Sequence, residues 1–160
     1  MSSIEQGLFQ ILPAEAGDLP DIISLIHAAF AEHRLLVPPS SADKETEVGL
    51  RAVLGHGTVF KAVAAGLIGC VVAERRPGRL YLGRLAVAPA WRRRGVAQGL
   101  LAAVEGFARG AGVTLLELNV RLVLRGNIRL FEGAGFRIVG QRCHPGFTVP
   151  TYHVMHKRLE

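Results

Sequence analysis

Residues Leu85 to Leu101, LAVAPAWRRRGVAQGLL, restrict the possible fold more than any other stretch. A β-rich segment runs into Pro89 and Ala90, which break a strand. Arg92, Arg93 and Arg94 follow, then Gly95 and Ala97. From Arg94 onward Val96, Ala97, Leu100, Leu101, Val104, Phe107 and Ala108 share one helical face, and Gly110 and Gly112 end it. The chain must therefore place a strand, a tight loop and a helix in direct succession. The first turn of such a helix carries N–H groups without partners and the positive end of the helix dipole. Gly95 and Ala97 leave that backbone bare, and the arginines add charge around it. The spacing predicts an anion cradle suited to a pyrophosphate. The alternative reading is a tight strand-to-helix turn with a solvated arginine run.

Two better-known phosphate motifs do not fit. No Gly-Lys-Ser/Thr follows the loop, and Gly95-x-x-x-Gly99 lacks the dinucleotide-binding spacing. The flanking segments supply the context. Phe9 to Leu12 predicts a first strand, and Asp18-Leu-Pro-Asp21 a helix start running to about Arg34. A loop over Leu36–Ser41 precedes a second helix through Leu54, with Ser41 or Asp43 as its cap. Thr58–Val63, Leu67–Glu74 and Arg79–Val87 alternate as an antiparallel meander, with Gly83 suggesting a bulge. Val113–Val120 predicts a strand, Asn127–Ala134 a short helix capped by Asn127, and Phe136–Cys143 and Thr151–Lys157 two last strands. The order is β α α β β β α β α β β. It implies an α/β (α+β) fold, with a mixed, mostly antiparallel sheet and helices on both faces, in one domain over residues 1–160.

Composition narrows the partners. The net charge is +6, and lysine occurs only at Lys44, Lys61 and Lys157, so the basic groups are mainly arginines, whose forks match phosphate. Nucleic acid is not expected, because the basic cluster lacks interleaved aromatics and no helix-turn-helix pattern occurs. The longest uncharged apolar run, Ala62–Ala73, is too short for a bilayer, so no membrane partner is expected. Cys70 and Cys143 form no disulfide or metal spacing, and the start MSSIEQGLF reads as no secretion signal; a cytoplasmic setting is expected. The histidines are scattered without ligand spacing, so no metal is expected.

Leu85-Ala-Val87-x-Pro89-x-x-Arg92-x-x-Gly95-x-Ala97-x-x-Leu100-Leu101 resembles the acetyl-CoA-binding motif of the GNAT N-acetyltransferase superfamily. Asn127-Ile-Arg-Leu-Phe131-Glu-x-x-Gly-Phe136 resembles the second motif of that family, and the element order agrees across nearly the whole chain. The resemblance implies acetyl-CoA as co-substrate. It implies that the backbone of Leu85, Ala86 and Val87 pairs with the pantetheine arm. It assigns the pyrophosphate to the amides and side chains of Arg92, Arg93, Arg94, Gly95, Val96, Ala97 and Gln98. It places Asn127 and Phe131 beside the cofactor arm, in a gap where two strands splay, and the family often forms homodimers.

The resemblance also exposes departures. Phe131 stands where the family often has the tyrosine that protonates the leaving thiolate, and Leu124 where it commonly has asparagine. Asn119 stands where some members place a glutamate base, and Gly83 and Arg84 occupy the carboxylate positions of the preceding strand. Glu117, two residues from Asn119 on the same strand face, is a candidate base if buried with a raised pKa; Asn119 could position a water. The competing reading puts Glu117 in a salt bridge. Tyr152, rather than His153, is the candidate substitute hydroxyl. His33 and Arg34, at the end of the first helix, are candidate contacts for the acceptor, and the Val87 amide a candidate oxyanion donor. The expected function is acetyl transfer from acetyl-CoA to a primary amine of a small molecule, protein or peptide. An acyl-CoA-binding domain without catalysis, or a basic nucleic-acid module, are the alternatives.

Overall fold

The computed structural model describes residues 8–33 and 35–160. Its strands are β1 (Gln10–Pro13), β2 (Gly57–Val63), β3 (Leu67–Arg76), β4 (Arg79–Val87), β5 (Leu115–Arg121), β6 (Arg137–Arg142) and β7 (Tyr152–Arg158). The helices are α1 (Leu19–Phe30), α2 (Glu47–Leu54), α3 (Val96–Gly110) and α4 (Arg125–Gly133). The strands form one open sheet in the order β1-β2-β3-β4-β5-β7-β6. Among the described residues only β4 and β5 pair in parallel. The element order and the mixed sheet are as expected. No helix among the described residues is long and apolar enough to cross a membrane.

Alternation on the strands builds two aliphatic cores, one on each face. Ile68, Leu80, Leu82, Leu116, Leu118 and Val120 meet the buried stripe Val96, Leu100, Leu101, Val104 and Ala108 of α3. Val59, Cys70, Val72 and Ala86 meet Leu19, Ile22 and Ile26 of α1 and Leu50 and Val53 of α2. Each fully buried leucine contributes roughly 2–3 kcal/mol from apolar surface removed from water. Gly69 sets how closely α3 approaches. A Cβ there would lie 3.0 Å from Val96 Cγ1 and 3.2 Å from the Ala86 carbonyl. The glycine thus seats the N-terminal turn of α3 directly on β3 and β4.

Several caps differ from the sequence expectation. The second helical region splits into a 3-10 turn, Ser41–Lys44, capped by Ser40, and α2, capped by Thr46, whose hydroxyl accepts from the Gly49 N–H at 3.1 Å. Asp18 precedes α1 but does not cap it; its carboxylate takes the Glu15 N–H and Lys61 instead. Asn127 lies inside the first turn of α4, which begins at Arg125.

Candidate active site

The site begins where the sheet comes apart. β4 and β5 pair only at Leu80–Leu116, Tyr81–Glu117 and Leu82–Leu118. Beyond these, β4 bulges. Cys70 faces Ala86 and Val72 faces Gly83, so Arg84 and Leu85 share one position opposite Val71. Arg84 takes a left-handed φ of 54°, so the irregularity falls at Arg84 rather than at Gly83. The guanidinium of Arg84 donates to Glu45 Oε1 and Ser41 Oγ, both at 3.1 Å, tying the 36–46 loop over the sheet. Past the bulge, the Ala88 N–H donates to the Ile68 carbonyl at 2.8 Å. By antiparallel alternation the neighbouring Val87 turns its N–H and C=O away from β3, toward the gap. Arg92 Nε already takes that C=O at 3.2 Å.

Beside this free edge lies a cavity of about 400 Å³, lined by Leu85–Val87, Arg92, Arg93, Gly95–Gln98, Asn127 and Phe131. Arg93 (φ 61°) and Gly95 (φ 85°) are both left-handed, which curls the loop into a concave run of amides. A Cβ at Gly95 would touch nothing, so glycine serves the backbone angle there and not a tight fit. The first bond closing the helix runs from the Gly99 N–H to the Gly95 carbonyl at 3.0 Å, which leaves the preceding amides without helical partners. These features fit a diphosphate. The three arginines are not equivalent. Arg92 is paired with Glu32 at 2.9 Å, at the C-terminal end of α1. Arg94 stacks on Trp91 with 4.9 Å to the ring centroid and does not line the cavity. Arg93 lines the cavity and bonds no carboxylate among the described residues.

A second cavity, of about 540 Å³, adjoins the first; Phe30, His33, Leu85, Asn127 and Phe131 line both. Its polar wall comes from Tyr81, Asn119, Arg121, His144 and Tyr152, with the Pro38–Ser41 loop opposite. The only two tyrosines of the chain therefore line one cavity. Burial pushes the Tyr81 hydroxyl above the ordinary tyrosine range, with neighbouring arginines opposing. The His144 ring lies 5.0 Å from the Tyr152 ring, and its Nδ1 is hydrogen-bonded to the Thr151 hydroxyl. Burial first, and the charge of Arg121 second, hold His144 below the usual histidine range. It is therefore neutral near pH 7 and able to accept a proton.

The structure sorts the predicted residues. Leu85–Val87, Arg92, Arg93, Gly95–Gln98, Asn127 and Phe131 come together around the first cavity. Asn119 and Tyr152 line the second, while His153 faces away from it. His33 sits at the junction, in edge contact with Phe30 at 5.6 Å; Arg34 lies outside the described residues. Two expectations need correction. The Arg94 side chain is turned to Trp91, because an indole face is available there. Glu117 lines neither cavity. It accepts from Arg79 at 3.0 Å and pairs with His156 at 2.8 Å. Burial raises its pKa, but the His156 and Arg79 contacts outweigh that and leave the carboxyl lower than an ordinary glutamate. The raised pKa expected of a base is absent. Sequence reasoning missed Tyr81, Arg121 and His144. Tyr81 could have been found from its alternation with Leu80 and Leu82, but Arg121 and His144 meet only through the pairing of β5 with β7.

The family model of the acetyltransferase (GNAT) family matches residues 26–136, and the chain belongs to that family. No curated protein matches it by sequence. Solved structures share the fold across almost the whole chain. An acetyltransferase of the GNAT family from Staphylococcus aureus Mu50 is 14% identical with a TM-score of 0.78, covering 95% of this chain and 99% of that one. The PaiA N-acetyltransferase of Thermoplasma acidophilum, solved in complex with coenzyme A, is 16% identical (TM-score 0.79, 94% and 98%). The ribosomal-protein-S18-alanine N-acetyltransferase of Escherichia coli is 20% identical (TM-score 0.73, 94% of each).

Proposed function

We propose that the protein is an acetyl-CoA-dependent N-acetyltransferase acting on a primary amine of a small molecule or peptide. The observation that carries this reading is the opening of β4 from β5 after Leu82, directly beside the uncovered first turn of α3. An extended arm can lie along Leu85–Val87 while its diphosphate meets the amides of Arg93–Gln98, with Arg93 closing over it. That a structural neighbour from Thermoplasma was solved in complex with coenzyme A supports a coenzyme A donor. Acetyl-CoA supplies the acetyl thioester that the amine attacks. Around it, the Val87 N–H is aimed into the gap as an oxyanion donor. His144 takes the proton of the amine, and Tyr152, in contact with it, returns one to the departing thiolate. These roles replace the tyrosine absent at Phe131 and the base absent at Glu117. The two free cysteines, one buried and one exposed, suit a cytoplasmic setting.

Titration calorimetry with acetyl-CoA, followed by a thiol-release screen over amines, amino acids, polyamines, aminoglycosides and peptide N-termini, tests this reading. It predicts micromolar binding and thiol release with at least one acceptor class. Binding without release on any acceptor would favour a donor-binding domain that has lost catalysis, the reading that Phe131 and the ion-paired Glu117 support.

A further inference from the structure

The second cavity has a charge pattern that bears on what enters it. Among the described residues its wall holds two arginines and no carboxylate. Arg84 is committed to Glu45 and Ser41. Arg121 is different: among the described residues it pairs with no carboxylate, and burial lowers its pKa. An arginine partly withdrawn from water without a counter-ion is a cost to the fold, recovered when an anion arrives. Directly opposite partners in a sheet share a face. Arg121 faces Tyr152, and Tyr152 faces Arg142, so the three share one face of the sheet; of the two arginines only Arg121 lines the cavity. Phe30, Leu36, Pro38 and Pro39 add an apolar stretch of wall, beside the uncharged polar groups of Ser40, Ser41 and Asn127 and the His33 ring.

We propose that the acceptor is a small amine bearing a carboxylate, an amino acid with an apolar side chain, whose carboxylate is taken by the Arg121 fork while its amine points to the junction at Leu85 and Phe131. This rests on the N-acetyltransferase reading and names its substrate class. A planar fork binds a carboxylate through two parallel hydrogen bonds, which the corresponding amide cannot accept. The same positive charge favours the neutral form of a nearby amine, so attack needs no strong base. It also repels polycations, for which the wall offers no carboxylate.

The test uses matched pairs: phenylalanine, leucine and methionine against their carboxamides, with spermidine and a neutral-capped peptide bearing a free N-terminus as further acceptors. The expected kcat/KM favours the acid over its amide by about tenfold or more in at least one pair. Arg121→Gln should bring that ratio toward one through KM for the acid, and Arg121→Lys should leave it between the two. A preference for amide, spermidine or peptide, or a ratio unmoved by Arg121→Gln, would overturn the proposal. A binding arm separates this from failure of the parent reading. N-acetylphenylalanine, N-acetylleucine and N-acetylmethionine are titrated against their carboxamides without turnover. Tighter binding of the acids, lost in Arg121→Gln, supports the carboxylate site even if no acceptor releases thiol; equal or absent binding of acids and amides overturns it.

Discussion

Strand β5 carries Glu117 and Arg121 on one face, four residues apart, and they meet opposite fates. Glu117 lies where β4 is still paired with β5, so Arg79 from β4 and His156 from β7 both reach it. Arg121 lies past the point where β4 departs, so one flank of it opens on a cavity. The closed half of the strand can satisfy its charges from within the chain. In the open half Arg121 has no carboxylate partner among the described residues, and it is the cation proposed to take the ligand. The end of the parallel pairing divides charges paired within the sheet from the one that faces the cavity.

Reversing the open end should have the largest effect. Arg121→Glu is expected to lower kcat/KM for carboxylate-bearing acceptors by at least about a hundredfold, with little change in thermal midpoint, because Arg121 has no carboxylate partner among the described residues to lose. Steady-state kinetics beside thermal melts checks both halves. A midpoint drop as large as that of a core mutant would show Arg121 to be structural.

The donor side gives the next effect. Arg93→Ala should weaken acetyl-CoA binding about fivefold to tenfold by calorimetry, and Arg94→Ala much less, since Arg94 is spent on Trp91. Equal losses would mean that the stacking does not hold when the donor binds.

Breaking the closed end should cost stability. Glu117→Gln is expected to destabilise by about 1–2 kcal/mol near neutral pH, because Arg79 and His156 lose a shared carboxylate. The Glu117 carboxyl is lowered in the folded chain, so its contribution is present above the ordinary glutamate pKa and is lost as pH falls through the folded value. The gap between wild type and Glu117→Gln in denaturant melts should therefore begin to close as the pH falls below the ordinary glutamate pKa of about 4.3. A gap constant with pH would remove the ion pair as its cause.

The smallest effect is a shift in pH profile. Protonating His144 removes the proton acceptor, so the rate should fall on the acid side of its lowered pKa. Arg121→Gln removes one cause of that lowering, so the acid limb should move to higher pH, and His144→Asn should abolish it. A limb unmoved in Arg121→Gln would separate the two residues.

Much of this fold was legible because its period changes are sharp. Arg79–Val87 alternates and then stops at Pro89, and the helix from Val96 to Gly110 ends at a glycine pair. The first cavity was legible for the same reason, being assembled mainly from one continuous stretch and the first turn of α4. The second cavity was not. Arg121, His144 and Tyr81 come from three separate segments, and only the β5–β7 register and the Arg84 bulge bring them to one wall. Glu117 shows the converse error. Its residue type and strand face suited a base, but the partners that lower its pKa stand 38 and 39 residues away in the chain. The Arg84 bulge had only Gly83 as its signal, one residue early.

The central claim is that the gap beyond Leu82 receives the donor. Amide hydrogen exchange with and without saturating acetyl-CoA tests it most directly. Protection is predicted at Leu85–Val87 and Arg93–Gln98, with little change in the closed half of β5 around Leu116–Leu118. Binding that leaves those two segments as exchangeable as before would contradict it.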